Sequence, residues 1–188
     1  MLPDHVSLRR QPLFTPIWLT VIGAFCGLVV MAGVVWILST ADATTVVIVR
    51  HAEKQSSGGD PPLTPEGEAR AASLARLLGE SQGPYAIDAI YVSPTLRSRM
   101  TAAPLAARLG LKPIVAPGDA PRALARRVLS EHAGGRVLIV GHRDTINDIL
   151  EALGAHAKLP PITDQDYGTM YVVSVPRIGR TNVLRISY

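Results

Sequence analysis

Thr45-Val46-Val47-Ile48-Val49-Arg50-His51 decides the fold: five β-branched residues run without a turn signal into a guanidinium and an imidazole. A short, continuous run of this kind reads as a strand buried on both faces. Ser56, Ser57, Gly58 and Gly59 then mark a loop. Thr64-Pro65-Glu66 opens a helix, with Thr64 as N-cap and Pro65 at the first helical position. Leu74, Leu77 and Leu78 supply its apolar stripe, and Gly79 its stop.

The pattern repeats along the chain. Ala89–Val92 reads as a second strand, followed by a helix from Thr95 to Leu109 that Pro104 should kink and Gly110 should end. Lys112–Ala116 is a weaker strand, and Pro121 to His132 a helix. Arg136–Val140 is the third clear strand, leading to a helix from about Thr145 to Leu153. Met170–Val175 and Val183–Ile186, separated by Pro176 and Gly179, suit a hairpin. Strands separated by helices predict an α/β fold: three α/β/α layers around a mostly parallel central sheet, with an antiparallel edge.

Three of these strands end in reactive side chains. The first runs into Arg50 and His51, the second into Ser93 and then Arg97, the third into Gly141 and His142. Open α/β sheets bind ligands at the carboxyl ends of their strands. If these strands are neighbours, two histidines and two arginines converge on one crevice. Arginine offers a planar fork of donors matched to phosphate. A histidine with one ring nitrogen tied down presents the other as a nucleophile at neutral pH. The set suits phosphoryl transfer, which requires the equatorial oxygens to be held during in-line attack. Spacing from Ser93 favours Arg97 over Arg99, which reads as a surface residue.

The ordered motifs resemble those of the histidine phosphatase superfamily, also called phosphoglycerate-mutase-like. Val49-Arg50-His51-Ala52-Glu53-Lys54 resembles its signature, with Arg-His-Ala in place of the usual Arg-His-Gly, a variant associated with small bacterial phosphatases. Ser93-Pro94-Thr95-Leu96-Arg97, with Thr101-Ala102, resembles the second motif, and Gly141-His142 the third. The segment Asp60–Gly67 resembles the approach to the family's first helix, and the likeness spans about Thr45 to Val175. The resemblance implies that His51 attacks phosphorus and becomes a phosphohistidine. It implies that Arg50, Arg97 and His142 cradle the phosphoryl oxygens, that water releases phosphate, and that neither metal nor cofactor takes part. The leaving-group acid should be a carboxylate after the second motif. Asp119 is the first candidate and Asp144 the second. Asp144 stands where an asparagine is expected, and Arg143 where a small residue is expected. Glu53 and Lys54 either extend the pocket or pair with each other in solvent.

The 188 residues leave room for one domain and an appendage. Ile17 to Leu38 carries no charge, and as a helix its 22 residues would reach ~33 Å, the thickness of a bilayer core. Trp18 and Trp36 stand near its ends, where aromatic rings favour the interface. Arg9 and Arg10 precede it, so residues 1–16 are expected in the cytoplasm, 17–39 as a transmembrane anchor or uncleaved signal segment, and 44–188 as a catalytic domain outside. That describes a single-pass inner-membrane protein facing the periplasm. Ala41-Asp42-Ala43 has the form of a signal-peptidase site, and cleavage after Ala43 would instead release a periplasmic protein. The apolar run exceeds the roughly 7–15 residues of a signal h-region, which favours the anchor.

Other features exclude partner classes. The lone Cys26 rules out an intrachain disulfide and a thiolate metal site. His5, His132 and His156 join no metal-ligand constellation. A net charge of +4, without a dense basic run, suits an anionic substrate better than nucleic acid. The expected partners are a small phosphorylated substrate or a phosphoprotein, and the membrane through residues 17–39. Three rivals to a simple phosphatase remain: a phosphoglycerate-type mutase, a protein phosphohistidine phosphatase, and a tethered, non-catalytic module that binds a phosphate ligand.

Overall fold

The computed structural model describes residues 17–39, 43–56, 58–81, 83–155, 160 and 162–188. The expected cytoplasmic segment 1–16, residues 41–42 of the cleavage motif, His5 and His156 lie outside the described residues. The chain divides into two compact units, Met1–Thr40 and Ala41–Tyr188.

Helix α1 (Ile17–Ser39) represents the first unit. It has no charged residue in its end turns and no amphipathic stripe, being apolar on every face. Over Ile17–Trp36 its mean hydropathy is 2.3, so the helix is long and apolar enough to cross a membrane or to serve as a signal segment.

The second unit is built on a six-stranded sheet in the order β3-β2-β4-β1-β5-β6. β1 (Thr44–Arg50), β2 (Ala89–Val92), β3 (Ile114–Val115) and β4 (Arg136–Gly141) run parallel. β5 (Thr169–Val175) pairs antiparallel with β1, and β6 (Asn182–Ser187) antiparallel with β5. The expected antiparallel edge is therefore a whole hairpin. Gly179, at φ +122° in its turn, adopts a backbone that favours glycine.

Strand alternation gives the sheet two apolar faces. Val46, Ile48, Ile139 and Tyr171 pack with Leu124, Ala125 and Val128 of α4 (Pro121–Glu131) and Ile146, Ile149 and Leu150 of α5 (Arg143–Ala152). Val47, Val49, Ile90, Leu138 and Val140 pack with Leu74 of α2 (Pro65–Gly79) and Ala102 and Leu105 of α3 (Leu96–Leu109). Burying each Leu or Ile is worth roughly 1.5–3 kcal/mol, so this double-sided core outweighs exposed ion pairs in holding the unit together.

Local signals set the helix ends. Thr64 caps α2 by accepting from the Gly67 N–H at 3.2 Å. α3 runs as one helix through Pro104 and ends at Gly110, which is left-handed with φ 66°. α5 starts two residues earlier than its periodicity suggests, because Thr145 Oγ1 accepts the His142 N–H at 3.1 Å and closes the first turn. β3 shortens to two residues: Pro113 before it has no N–H for the ladder, although Ala116 still donates to Val92 O at 2.9 Å.

Candidate active site

The parallel register brings the two histidines together. Arg50 pairs with Gly141 across β1 and β4, so His51 and His142 are the next residues on adjacent strands. The His51 N–H extends the ladder to Gly141 O at 3.0 Å. Their ring centroids lie 5.2 Å apart, close to the inter-strand spacing.

His51 is 4% exposed, and its Nδ1 lies 2.8 Å from Ala52 O. A carbonyl only accepts, so Nδ1 carries the proton and Nε2 keeps its lone pair. Burial lowers the His51 pKa to about 4, assisted by the charges of His142, Arg97 and Arg50 and opposed by the Ala52 bond. The ring is therefore neutral at pH 7. His142 is half-buried at the N-terminus of α5. Its pKa also lies below the usual histidine value, through burial first and then Arg97, with Asp144 and Asp60 pulling the other way.

Arg50 ends β1 and is 6% exposed. Its Nη1 donates to Thr163 O at 3.0 Å and Asp164 O at 2.9 Å, and the Tyr167 ring centroid lies 4.0 Å from its Cζ. Arg97 stands in the first turn of α3, with Nη1 3.5 Å from Asp60 Oδ1. The second motif is tied to the first by Thr101, whose hydroxyl donates to Arg97 O at 2.8 Å and accepts the Ala52 N–H at 2.9 Å. Ala52 is fully buried there. Among the described residues, Nε of Arg50 and Nε of Arg97 are both buried without a hydrogen-bond partner. Both guanidinium charges act on both imidazoles. The two histidines and two arginines are thus close enough for their charges to interact, beyond the carboxyl ends of β1 and β4.

The carboxylates are placed differently. Asp119 is exposed in the turn after β3 and lines a groove with Arg122, Arg126, Asp148 and Glu151. Its neighbour Gly118 adjoins the His142 ring and Thr145. Asp144 is exposed, and its charge is felt at His142. Arg143 reaches Asp164, 2.7 Å from Nη1 to Oδ1, at the rim. A narrow hollow beside His142, lined by Ser93, Pro117 and Gly118, has about 20 Å³ of space, enough for about one water.

Glu53 pairs with Arg70. Arg70 Nε donates to both its carboxylate oxygens, at 2.8 and 2.9 Å, while Arg70 Nη1 reaches Tyr188 O at 3.1 Å. Burial pushes the Glu53 carboxyl up, but the Arg70 bonds outweigh it and hold the pKa below the usual value. Gly67 packs against the Glu53 backbone so closely that a Cβ there would collide with the carbonyl oxygen. No group of three or more His, Cys, Asp or Glu suited to a metal occurs among the described residues.

The loops Gly58–Pro62 and Pro160–Gly168 are expected from sequence at the pocket's outer wall, but no individual role is assigned there to Asp60, Tyr167 or the carbonyls of residues 163 and 164. Carbonyls have no residue-type signature, and neither Asp60 nor Tyr167 lies at a strand end.

Residues 46–118 match the family model described as histidine phosphatase superfamily (branch 1). No curated protein matches the chain. Among solved structures, the protein histidine phosphatase SixA complexed with tungstate is 21% identical, covers 76% of this chain and 96% of its own, and superposes with a TM-score of 0.62. A mycobacterial glucosyl-3-phosphoglycerate phosphatase is 18% identical, with coverages of 75% and 97% and a TM-score of 0.60. A putative phosphohistidine phosphatase SixA from Nakamurella multipartitia is 24% identical, with coverages of 78% and 96% and a TM-score of 0.55. These likenesses establish the fold, and over residues 46–118 the chain is similar to the histidine phosphatase superfamily.

Proposed function

We propose that the chain is a phosphomonoester hydrolase that works, without metal, through a phosphohistidine on His51. The observation that carries this reading is the pair of buried, unpartnered arginine Nε–H groups beside a neutral imidazole. Unsatisfied buried donors are costly, and a phosphoryl group supplies the acceptors they lack.

In this mechanism Nε2 of His51 attacks phosphorus as the bond to the ester oxygen breaks. Arg50, Arg97 and His142 hold the equatorial oxygens, where charge is spread in the transition state. Asp119 protonates the departing oxygen, with Asp144 as the alternative donor. Water then attacks the phosphohistidine, releasing inorganic phosphate and restoring the imidazole.

A second reading follows the similarity to SixA: the substrate is a phosphohistidine on another protein. We assign α1 as the membrane anchor, with the phosphatase unit outside the cytoplasm. Protease added to intact spheroplasts then removes the phosphatase unit, and its survival would reverse that orientation.

The main test uses the full chain in detergent with an aryl phosphate and a chelator. Turnover is expected, together with an acid-labile phosphate on the quenched enzyme that His51→Ala abolishes. Unchanged turnover in His51→Ala would end the nucleophile assignment.

A further inference from the structure

Asp60 lies in the loop before α2 and is assigned no role by the mechanism above. Its two carboxylate oxygens accept the Leu96 N–H, at 3.0 and 2.9 Å. That N–H opens α3, whose own N-cap, Thr95, makes no side-chain capping bond. Instead the Thr95 hydroxyl joins Ser93 and Ser98 in a network with contacts of 3.0 and 3.2 Å. The cap of α3 is therefore supplied from a loop 36 residues away in sequence.

The same carboxylate lies 3.5 Å from Nη1 of Arg97, the next residue along the helix. Among the described residues, the buried Nε of Arg97 has no hydrogen-bond partner. The Asp60 charge also reaches the crevice, where it is among those that raise the pKa of His142. Capping alone requires an acceptor and no charge, and it explains only the Leu96 contact. The contact to Arg97 requires the charge.

We propose that Asp60 is a positioning residue that aims the Arg97 guanidinium at the phosphoryl group, an inference that rests on the phosphatase reading above. Asp60 binds the backbone of Leu96 and the side chain of Arg97 at once, so the helix end and the guanidinium move as one body. Catalysis by a cradle depends on alignment: a displacement of about 1 Å can cost on the order of a hundredfold in rate. The ground-state phosphate tolerates such a shift better than the transition state, whose oxygens carry the developing charge.

Asp60→Asn separates the two roles, because its amide oxygen still accepts the Leu96 N–H while the charge is gone. In the full chain in detergent, Asp60→Asn is expected to lower kcat on an aryl phosphate about tenfold. KM and the thermal midpoint should stay close to wild type. In a double-mutant cycle, Asp60→Asn should add nothing to Arg97→Ala, since Asp60 acts through the guanidinium that Arg97→Ala removes. Calorimetry with orthovanadate, which adopts the five-coordinate geometry of the transferring group, repeats the cycle without turnover. Asp60→Asn should bind it about tenfold more weakly than wild type, and the double variant should bind it as weakly as Arg97→Ala alone. Wild-type kcat and vanadate affinity in Asp60→Asn, or effects that multiply in the double variant, would overturn the positioning role. A wild-type chain that binds vanadate and turns over no phosphate ester would sink the phosphatase reading, leaving the vanadate cycle to decide on Asp60. A chain that does neither removes both.

Discussion

The rings of His51 and His142 stand 5.2 Å apart with their planes inclined by 64°. Two charged imidazoles at that distance would repel, in a crevice that already holds two guanidiniums. Burial and these charges lower both pKa values, that of His51 to about 4. Two measurable consequences arise from this arrangement, one in catalysis and one in stability.

On nitrophenyl phosphate, whose leaving group needs no proton, kcat/KM corrected for the substrate's own ionisation should hold down to about pH 5 and fall as the pH approaches 4, where His51 protonates. A fall centred near pH 6.5 would mean that the nucleophile titrates as an unperturbed histidine. Stability should move in the same direction. Between pH 6.5 and 4 the unfolded chain binds a proton at His51 that the folded chain excludes, so stability rises with pH across this window. Acidification through it should lower the urea midpoint of wild type more than that of His51→Ala.

Asp119 and Asp144 are both exposed, so burial does not choose between them as proton donor. Leaving-group dependence does. Asp119→Asn should slow hydrolysis of alkyl phosphates by about 10²-fold or more, while sparing nitrophenyl phosphate, whose leaving group needs no proton. Should Asp144→Asn show that discrimination and Asp119→Asn not, the donor is Asp144.

Tyr167 covers one face of the Arg50 guanidinium, and a cation–π contact of this kind is worth about 0.5–2 kcal/mol. Tyr167→Leu is expected to reduce kcat/KM about 2- to 30-fold, and Tyr167→Phe to keep most of it. An unaffected Leu variant would show that the carbonyls of Thr163 and Asp164 suffice to orient Arg50.

The fold was readable because burial imposes composition. β1 and β4 have helices on both faces, so nearly every position is apolar, and the runs stand out without an alignment. Thr64 and Gly110 marked helix ends because capping and left-handed backbone each favour few residue types. The edge strand β3 was overextended, as exposure on one side leaves a weaker composition. The start of α5 depended on the Thr145 hydroxyl closing a turn that hydrophobic periodicity does not register.

The site divides in the same way. By itself the sequence determined the α/β order, the apolar N-terminal segment, and a guanidinium or imidazole following each of three strands. Those features are local, written in residue type and spacing. Only the tertiary structure decided that β4 lies between β1 and β2, and so that His51 meets His142. It alone joined Asp60 to Arg97, and Arg50 to Tyr167 and two carbonyls more than a hundred residues away. Such contacts depend on strand register and on charge acting through space, and neither favours one residue type strongly enough to be read along the chain.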